Sequence, residues 1–370
     1  MSDLIISSCF MSALEIYAGP RAKSQIEENG LDPAQFSLLV GASGGPKWFV
    51  LYGLDRFLFG EYFASRDKPL MTLGSSAGAW RLCCLGTATP LRAIDELAAR
   101  YSRETYSAQP TVEEITEKMR SMLTATLGSS GASEIAANQL IQTHIVADRC
   151  KGLAGSESAE LQKLSLAGSA IVNVFSRRSL SWFFQRTIFT NMRAGGRDQS
   201  PFCSLDDLDT AIVPLTEDNV SEAMLASGSI PFLLEGVRSI KGAPEGLYWD
   251  GGITDYHFDL PFHLIEGLVL YPHFSPTITP GWFDKKLFWR RPPLEHFDNV
   301  VVVTPTAEFT ARLPGGKIPD RNDFQRYSER DRLANWRRVL DSSHELALDF
   351  AELVANPDRL VVRDFSERPV

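Results

Sequence analysis

Cysteine is scarce in this sequence and shows no pairing. Five residues in 370 (Cys9, Cys83, Cys84, Cys150 and Cys203) form an odd set with no metal-ligand or disulfide spacing. That excludes a disulfide framework and a zinc site and fits a reducing compartment. Positive charge is in deficit too. The 37 Lys and Arg face 46 Asp and Glu, a net charge of −9. Nonspecific nucleic-acid binding needs a basic surface, so no nucleic-acid partner is expected. Histidine is limited to six residues, and no His/Cys/carboxylate cluster has metal-ligand spacing, so neither a metal nor a cofactor is expected. No apolar run approaches the ~18 residues of a membrane span. Residues 1–10 carry an early acid, Asp3, and lack the basic start of a signal peptide. A soluble, cytoplasmic protein is expected. Repeats, low-complexity tracts and composition breaks are also missing, which predicts one domain over residues 1–370.

What is present allows a large core, with 44% hydrophobic and 22% charged residues. Residues 36–40 form a short apolar run, a glycine-rich turn follows at 41–47, and 48–59 reads as an apolar helix. A second strand at 70–73 leads into another turn and helix. This βαβα order implies a mainly parallel sheet between helical layers. Further strand-like runs are 140–147, 169–175, 210–213 and 300–304, the last Val-rich and central in character. Residues 329–355 have helical spacing, with Leu333, Trp336, Leu340, His344 and Leu348 on one stripe. Residues 272–298 are rich in proline and aromatics and read as an irregular loop.

Gly74-Ser75-Ser76-Ala77-Gly78 reads G-x-S-x-G between an apolar strand and a helix. That is the setting of a nucleophile elbow. The flanking Gly74 and Gly78 allow a tight fold, and Ser76 would stand at its tip beside a helix N-terminus. A plain tight turn is the alternative, and Ser75, at an x of the motif, is the other hydroxyl. Cys83 and Cys84 on the following helix read as core packing. Gly44-Gly45-Pro46-Lys47 offers two unshielded amides for an oxyanion. Pro46 suits the first helical turn and cannot itself donate, while Lys47 adds positive potential. A phosphate loop is the alternative there, but no G-K-[ST] follows. Asp250-Gly251-Gly252 follows a short aromatic strand and could be no more than a turn. Residues 226–232 (A-S-G-S-I-P-F) could be no more than a helix end.

These four elements, G-G-x-[KR], G-x-S-x-G, A-S-x-x-[IV]-P and D-G-G, stand in an order that resembles the patatin-like lipid acyl hydrolases. The resemblance runs from about residue 36 to 261. It implies an α/β fold, a three-layer α/β/α sandwich with a mainly parallel central sheet. It further implies a Ser76 nucleophile, an Asp250 base and an oxyanion hole from Gly44 and Gly45, with Lys47, Gly74, Gly78, Gly251 and Gly252 in support. The expected substrate is a lipid or acyl ester. The chain departs from the family pattern in three places. Trp48 stands where a glycine is usual, the glycine run is interrupted at Ala42 and Ser43, and the N-x-P after D-G-G is replaced by a displaced Asp259-Leu260-Pro261. A divergent member is implied.

A dyad makes physical sense without the analogy, since a desolvated carboxylate becomes more basic. Three readings remain beside it. A Ser-His-Asp enzyme would use His257, His263, His273, His296 or His344. A lipid-binding module could use the same fold without catalysis. Acyl transfer to another alcohol would share the covalent intermediate. The segment Gly281-Trp282-Phe283-Asp284-Lys285-Lys286-Leu287-Phe288-Trp289-Arg290-Arg291 holds four aromatics and four cations against one acid. It is expected either to touch a membrane surface transiently or to pack as a surface loop.

Overall fold

The computed structural model describes residues 12–192 and 200–369. Cys9 and the expectations for residues 1–10 lie outside the described residues.

The strands are β1 (Leu14–Ala18), β2 (Phe36–Gly41), β3 (Leu70–Ser75), β4 (Ile141–Cys150), β5 (Phe184–Thr190), β6 (Thr210–Pro214), β7 (Val237–Arg238), β8 (Leu247–Asp250), β9 (Leu268–Pro272), β10 (Val300–Pro305) and β11 (Val362–Asp364). They form one sheet in the order β11-β1-β10-β9-β2-β3-β4-β5-β6, with β8 on β4 and β7 on β8. Its centre, from β10 through β4, is parallel. The antiparallel pairs are β1–β10, β4–β5, β4–β8 and β7–β8. Helices flank this sheet in a three-layer α/β/α sandwich. Strands β9 and β10 are buried at every position, which is why they read as continuous apolar runs and not as alternation.

The elbow helix, Ala77–Leu85, is buried along its whole length, Cys83 and Cys84 included. Its Arg81 pairs with the fully buried Asp55 and donates to the carbonyls of Pro272, at 3.2 Å, and Val40, at 3.4 Å. The charge thus ties this helix to the ends of β9 and β2.

Several sequence expectations are corrected. Residues 169–175 are not a strand but the last turns of a helix, Ala159–Phe175. The Ser158 hydroxyl caps that helix by accepting from the Leu161 amide. Its buried positions are Ser165, Ser169 and Asn173, a four-residue spacing that overrides the β-branched run Ile171-Val172. The expected helix at 48–59 is a 3-10 turn (Gly45–Leu51), a short α-helix (Tyr52–Phe57) and a π-turn (Leu58–Tyr62). The stretch 329–355 is two helices, Glu329–Ser342 and His344–Ala355. Between them the Ser343 hydroxyl accepts from the Gly53 amide at 2.8 Å. The break rotates the second helix, so its core residues are Leu346 and Phe350, while Leu348 is 71% exposed. His344 is exposed as well. The chain continues past this helix into β11, which pairs with β1. The stretch 272–298 is not wholly irregular, since 3-10 turns form at Trp282–Lys286 and Leu294–Phe297.

Candidate active site

Strand β4 brings the site together. β5 occupies one of its edges along its last seven residues. The other edge is shared. β3 pairs with Ile141–Val146 in parallel, ending with Ser75 opposite Val146. β8 pairs with Ala147–Arg149 in antiparallel, ending with Asp250 opposite Ala147. Two strands therefore run toward each other along one edge and stop at consecutive residues. Ser76 and Asp250 are brought together by this register. The Ser76 hydroxyl donates to Asp250 Oδ2 at 2.8 Å, and both residues are buried.

Ser76 has φ 55° and ψ −130°, a strained conformation for a residue with a Cβ. Three hydrogen bonds hold it. Its amide donates to the Ser227 hydroxyl at 2.9 Å, and Ser227 donates in turn to the Val146 carbonyl at 2.6 Å. The Trp80 amide donates to the Ser76 carbonyl at 3.1 Å. Gly78 is required by close approach, because a Cβ there would collide with the Gly41 carbonyl at the end of β2. Gly74 packs similarly on the backbone of Ala79. Ser75 is fully buried and hydrogen-bonded to the Ser43 hydroxyl at 2.9 Å. Ser227 gives the A-S-G-S-I-P segment a role that its sequence alone did not reveal.

Asp250 is fixed on both sides. Its amide donates to the Ser229 carbonyl at 2.8 Å, and its Oδ1 accepts the Gly252 amide at 2.7 Å. Gly251 lies against the Val146 carbonyl, where a Cβ would clash. Burial pushes the Asp250 carboxyl above its ordinary range; Arg321, the Gly252 amide, Ser76 and Lys285 pull the other way. The residues that follow are anchored to the sheet. Thr254 donates its amide and its hydroxyl to Asp148 on β4, at 2.9 and 2.8 Å. Asp255 accepts from the buried Arg186 of β5 at 2.6 and 3.0 Å, and Arg186 also grips Asp207 at 2.7 and 2.8 Å.

The glycine turn lies across from this pair. The Ser43 amide is taken by the Tyr256 carbonyl at 2.9 Å. The Gly44 and Gly45 amides donate to no protein acceptor among the described residues. Gly44 lines the cavity with Ser76; Gly45 is buried behind it, at φ 56°, against Arg321. Lys47 also lines the cavity and donates to the Tyr256 hydroxyl at 3.3 Å.

Two cavities meet at Ser76. One, of about 280 Å³, is polar, with Lys47, Asp250, Lys285 and Arg321 in its wall. The other, of about 640 Å³, is the more apolar, walled by Trp80, Tyr101, Ile115, Met119, Leu234 and Phe324, with Gln325, Glu329 and Arg332 also on its wall. Ile230, Arg321 and Asn322 border both. Tyr256 and Arg321 were not expected from the sequence, and Lys285, singled out there only as part of the aromatic-basic segment, was not expected in this cavity. The aromatic-basic segment is divided. Trp282 and Lys285 line the polar cavity, Arg290 is paired with Asp284 and bonded to Asn173, and Phe288 is 80% exposed.

No histidine lines either cavity or hydrogen-bonds to Ser76 or Asp250. His257 and His273 are buried nearby and held neutral by desolvation. His296 is engaged with Asp259 at 2.8 Å, His144 with Ser200 at 3.0 Å. Among the described residues no group of three His, Cys, Asp or Glu could hold a metal ion, and no helix is long and apolar enough to cross a membrane.

The sequence matches the Patatin-like phospholipase family over residues 39–258. No curated protein matches it. Among solved structures, VipD from Legionella pneumophila is similar at a TM-score of 0.30 and 13% identity, covering 71% of this chain and 53% of that chain. The chain thus spans about half the length of that relative, and the likeness is too slight to carry an argument. The family match covers more than half of the 370 residues and includes both the G-x-S-x-G elbow and the D-G-G turn; the chain belongs to the patatin-like phospholipase family.

Proposed function

We propose that this protein hydrolyses carboxylic ester bonds of lipids through a Ser76–Asp250 dyad and an acyl-enzyme. The observation that carries the reading is the 2.8 Å hydrogen bond from the Ser76 hydroxyl to a buried carboxylate that no histidine contacts. As Ser76 Oγ attacks the ester carbonyl carbon, its proton passes to Asp250 Oδ2. The carbonyl oxygen becomes an oxyanion, received by the Gly44 amide in the cavity wall, with the Gly45 amide behind it; the Ala77 amide at the helix N-terminus is a further donor of the kind elbows use. Each such donor contributes on the order of 3 kcal/mol. Collapse breaks the ester C–O bond, and the departing alcohol takes the proton from Asp250. Water then repeats the attack, Asp250 accepts its proton, and Ser76 leaves with that proton as the fatty acid is released. Burial of Asp250 supports this role, because it raises the basicity of the carboxylate. Acyl transfer to a second alcohol uses the same intermediate.

Contact with a membrane surface belongs to the same proposal. The helix Ala159–Phe175 is inverted: its buried positions are polar, while Leu164 and Ile171 are each 64% exposed. It ends beside Arg290, which donates to the Asn173 carbonyl at 2.6 Å, so the exposed Phe288 and Trp289 flank it. A cytoplasmic location is proposed from the free Cys83, Cys84, Cys150 and Cys203.

The test is labelling with a fluorophosphonate together with turnover of p-nitrophenyl esters of graded acyl length and of phospholipids. Wild type and Ser75→Ala should label and turn over, and Ser76→Ala should do neither. Labelling that survives in Ser76→Ala would overturn the assignment.

A further inference from the structure

The polar cavity holds more positive charge than its chemistry requires. Lys47, Lys285 and Arg321 all line it. Among the described residues none of the three is in an ion pair with an acid. Their partners are rings and a hydroxyl. Lys47 Nζ lies 5.0 Å from the Phe274 ring centre and Lys285 Nζ 3.9 Å from that of Tyr256. Two acids share the wall, Asp250 and Asp320. Asp320 is already matched by Lys317 at 3.0 Å, which leaves Asp250 alone against three cations.

Arg321 is held out by its own loop. Lys317 binds Asp323 at 2.7 Å, the Trp336 indole donates to Asp323 at 2.9 Å, and the Asn322 amide donates to Asp320 at 2.8 Å. The loop satisfies its acids internally and offers the guanidinium to the cavity. In a chain of net charge −9, three cations converging on one cavity without an ion-pair partner favour an anion there. Burial lowers the Lys285 ammonium to about 8; Lys47 and Arg321 push in the same direction, and Asp250 opposes them.

We propose that Lys47, Lys285 and Arg321 bind the anionic head of the substrate, a phosphate monoester on the alcohol side of the scissile ester, while the acyl chain occupies the apolar cavity. The proposal rests on the Ser76–Asp250 reading for the position of the ester. Ser76 stands where the two cavities join, so the acyl and alcohol sides of one ester fall on opposite sides of it. Three cations less one carboxylate match the roughly −1.5 to −2 charge of a phosphate monoester near neutral pH. A zwitterionic choline head fits poorly. Its trimethylammonium would need an acid or a free aromatic face, and Lys285 already lies over Tyr256, and near Trp282 at 5.7 Å. Lys285 and Arg321 both lie beyond residue 258, outside the matched family region, so the family match does not by itself imply this selectivity.

The experiment compares three substrates with one acyl chain: a monoacylglycerol phosphate, the corresponding phosphocholine and the neutral monoacylglycerol. Wild type should show a kcat/KM at least tenfold higher for the phosphate than for either other. In Lys285→Gln and Arg321→Gln the ratio of phosphate to neutral substrate should fall at least tenfold. Ratios are the readout because Arg321 also acts on Asp250, an effect common to all three substrates. A second arm measures binding of the non-hydrolysable ether analogues and of inorganic phosphate by isothermal titration calorimetry. The ether phosphate should bind at least tenfold tighter than the ether phosphocholine and than inorganic phosphate, and each variant should lose that margin. Equal ratios in wild type and variants, a preference for the choline head, or inorganic phosphate as the tighter ligand would overturn the proposal. If Ser76→Ala kept full turnover while the binding margins held, the dyad would fail and the anion site would stand.

Discussion

The Ser227 hydroxyl accepts the amide of Ser76, the strained residue of the elbow, at 2.9 Å, and spends its own proton on the Val146 carbonyl. A residue 151 positions away in sequence thus stabilises a backbone conformation that the local chain disfavours. Ser227→Ala would leave a buried amide without an acceptor, at a cost of ~1–3 kcal/mol. The expected result is lower thermal stability and a kcat reduced roughly 10- to 100-fold, with KM little changed. Ser227→Thr, which keeps the hydroxyl, should recover much of the loss. Steady-state kinetics with calorimetry on both variants checks this, and an unchanged kcat in Ser227→Ala would count against a positioning role.

Asp250→Asn should lower kcat by on the order of 10³, whereas alanine at His257, His263, His273, His296 or His344 should each retain most turnover. A histidine variant as inactive as Ser76→Ala, with its fold intact, would favour a triad.

The same aspartate should shape stability. Burial raises its pKa in the folded state above the ~3.9 of the unfolded chain. Below the unfolded value both states are protonated and the group contributes nothing. As pH rises through the folded value, the folded form must carry a buried charge, so wild type loses stability that Asp250→Asn keeps. The stability of the variant relative to wild type should therefore increase from pH 4 to pH 8, as measured by urea denaturation. A flat difference would mean that Asp250 titrates like an exposed carboxylate.

The acid limb of kcat/KM should follow Asp250 and lie above the ordinary carboxylate range. Arg321 is the foremost influence holding that pKa down. Arg321→Gln should therefore move the limb to higher pH, and Lys285→Gln should move it in the same direction. A pH–rate profile in which Arg321→Gln shifts the limb downward would contradict the electrostatics described above.

Arg186 is buried between Asp255 and Asp207. Asp255→Ala removes half of its compensation and should destabilise the fold by about 3–5 kcal/mol. Because Asp255 follows the D-G-G turn by three residues, kcat should fall as well. Chemical denaturation and turnover measured together would show whether the two effects travel together.

The local motifs were legible because their chemistry is local. Gly74, Ser76 and Gly78 sit within five residues, and Asp250 is marked by its glycines. Their meeting was accessible only by family resemblance, since it depends on β8 entering the edge of β4 beyond β3. Lys285 and Arg321 stand on 3-10 and loop segments with no periodicity, and nothing in their neighbourhoods marks them as facing one cavity. The misread strand at 169–175 shows the opposite failure. Its Ile-Val and Val-Phe pairs have high β propensity, but a cap eleven residues upstream and three inward polar side chains decide for helix. The break at Ser343 is similarly tertiary, set by Gly53, whose missing Cβ admits the Ser343 carbonyl.

The meeting of β3 and β8 on β4 makes the spacing of Ser76 and Asp250 a backbone quantity. Ser75 and Asp250 are assigned to their places by ladder hydrogen bonds opposite Val146 and Ala147, and side chains only refine what the ladder has set. Exchanging residues on β4 for others of similar size should leave the hydroxyl and carboxylate in reach. Inserting one residue between the two pairings would move them apart by about 3.4 Å and turn the following side chains to the opposite face. The tolerance of this site to substitution and its intolerance of insertion are two outcomes of one register.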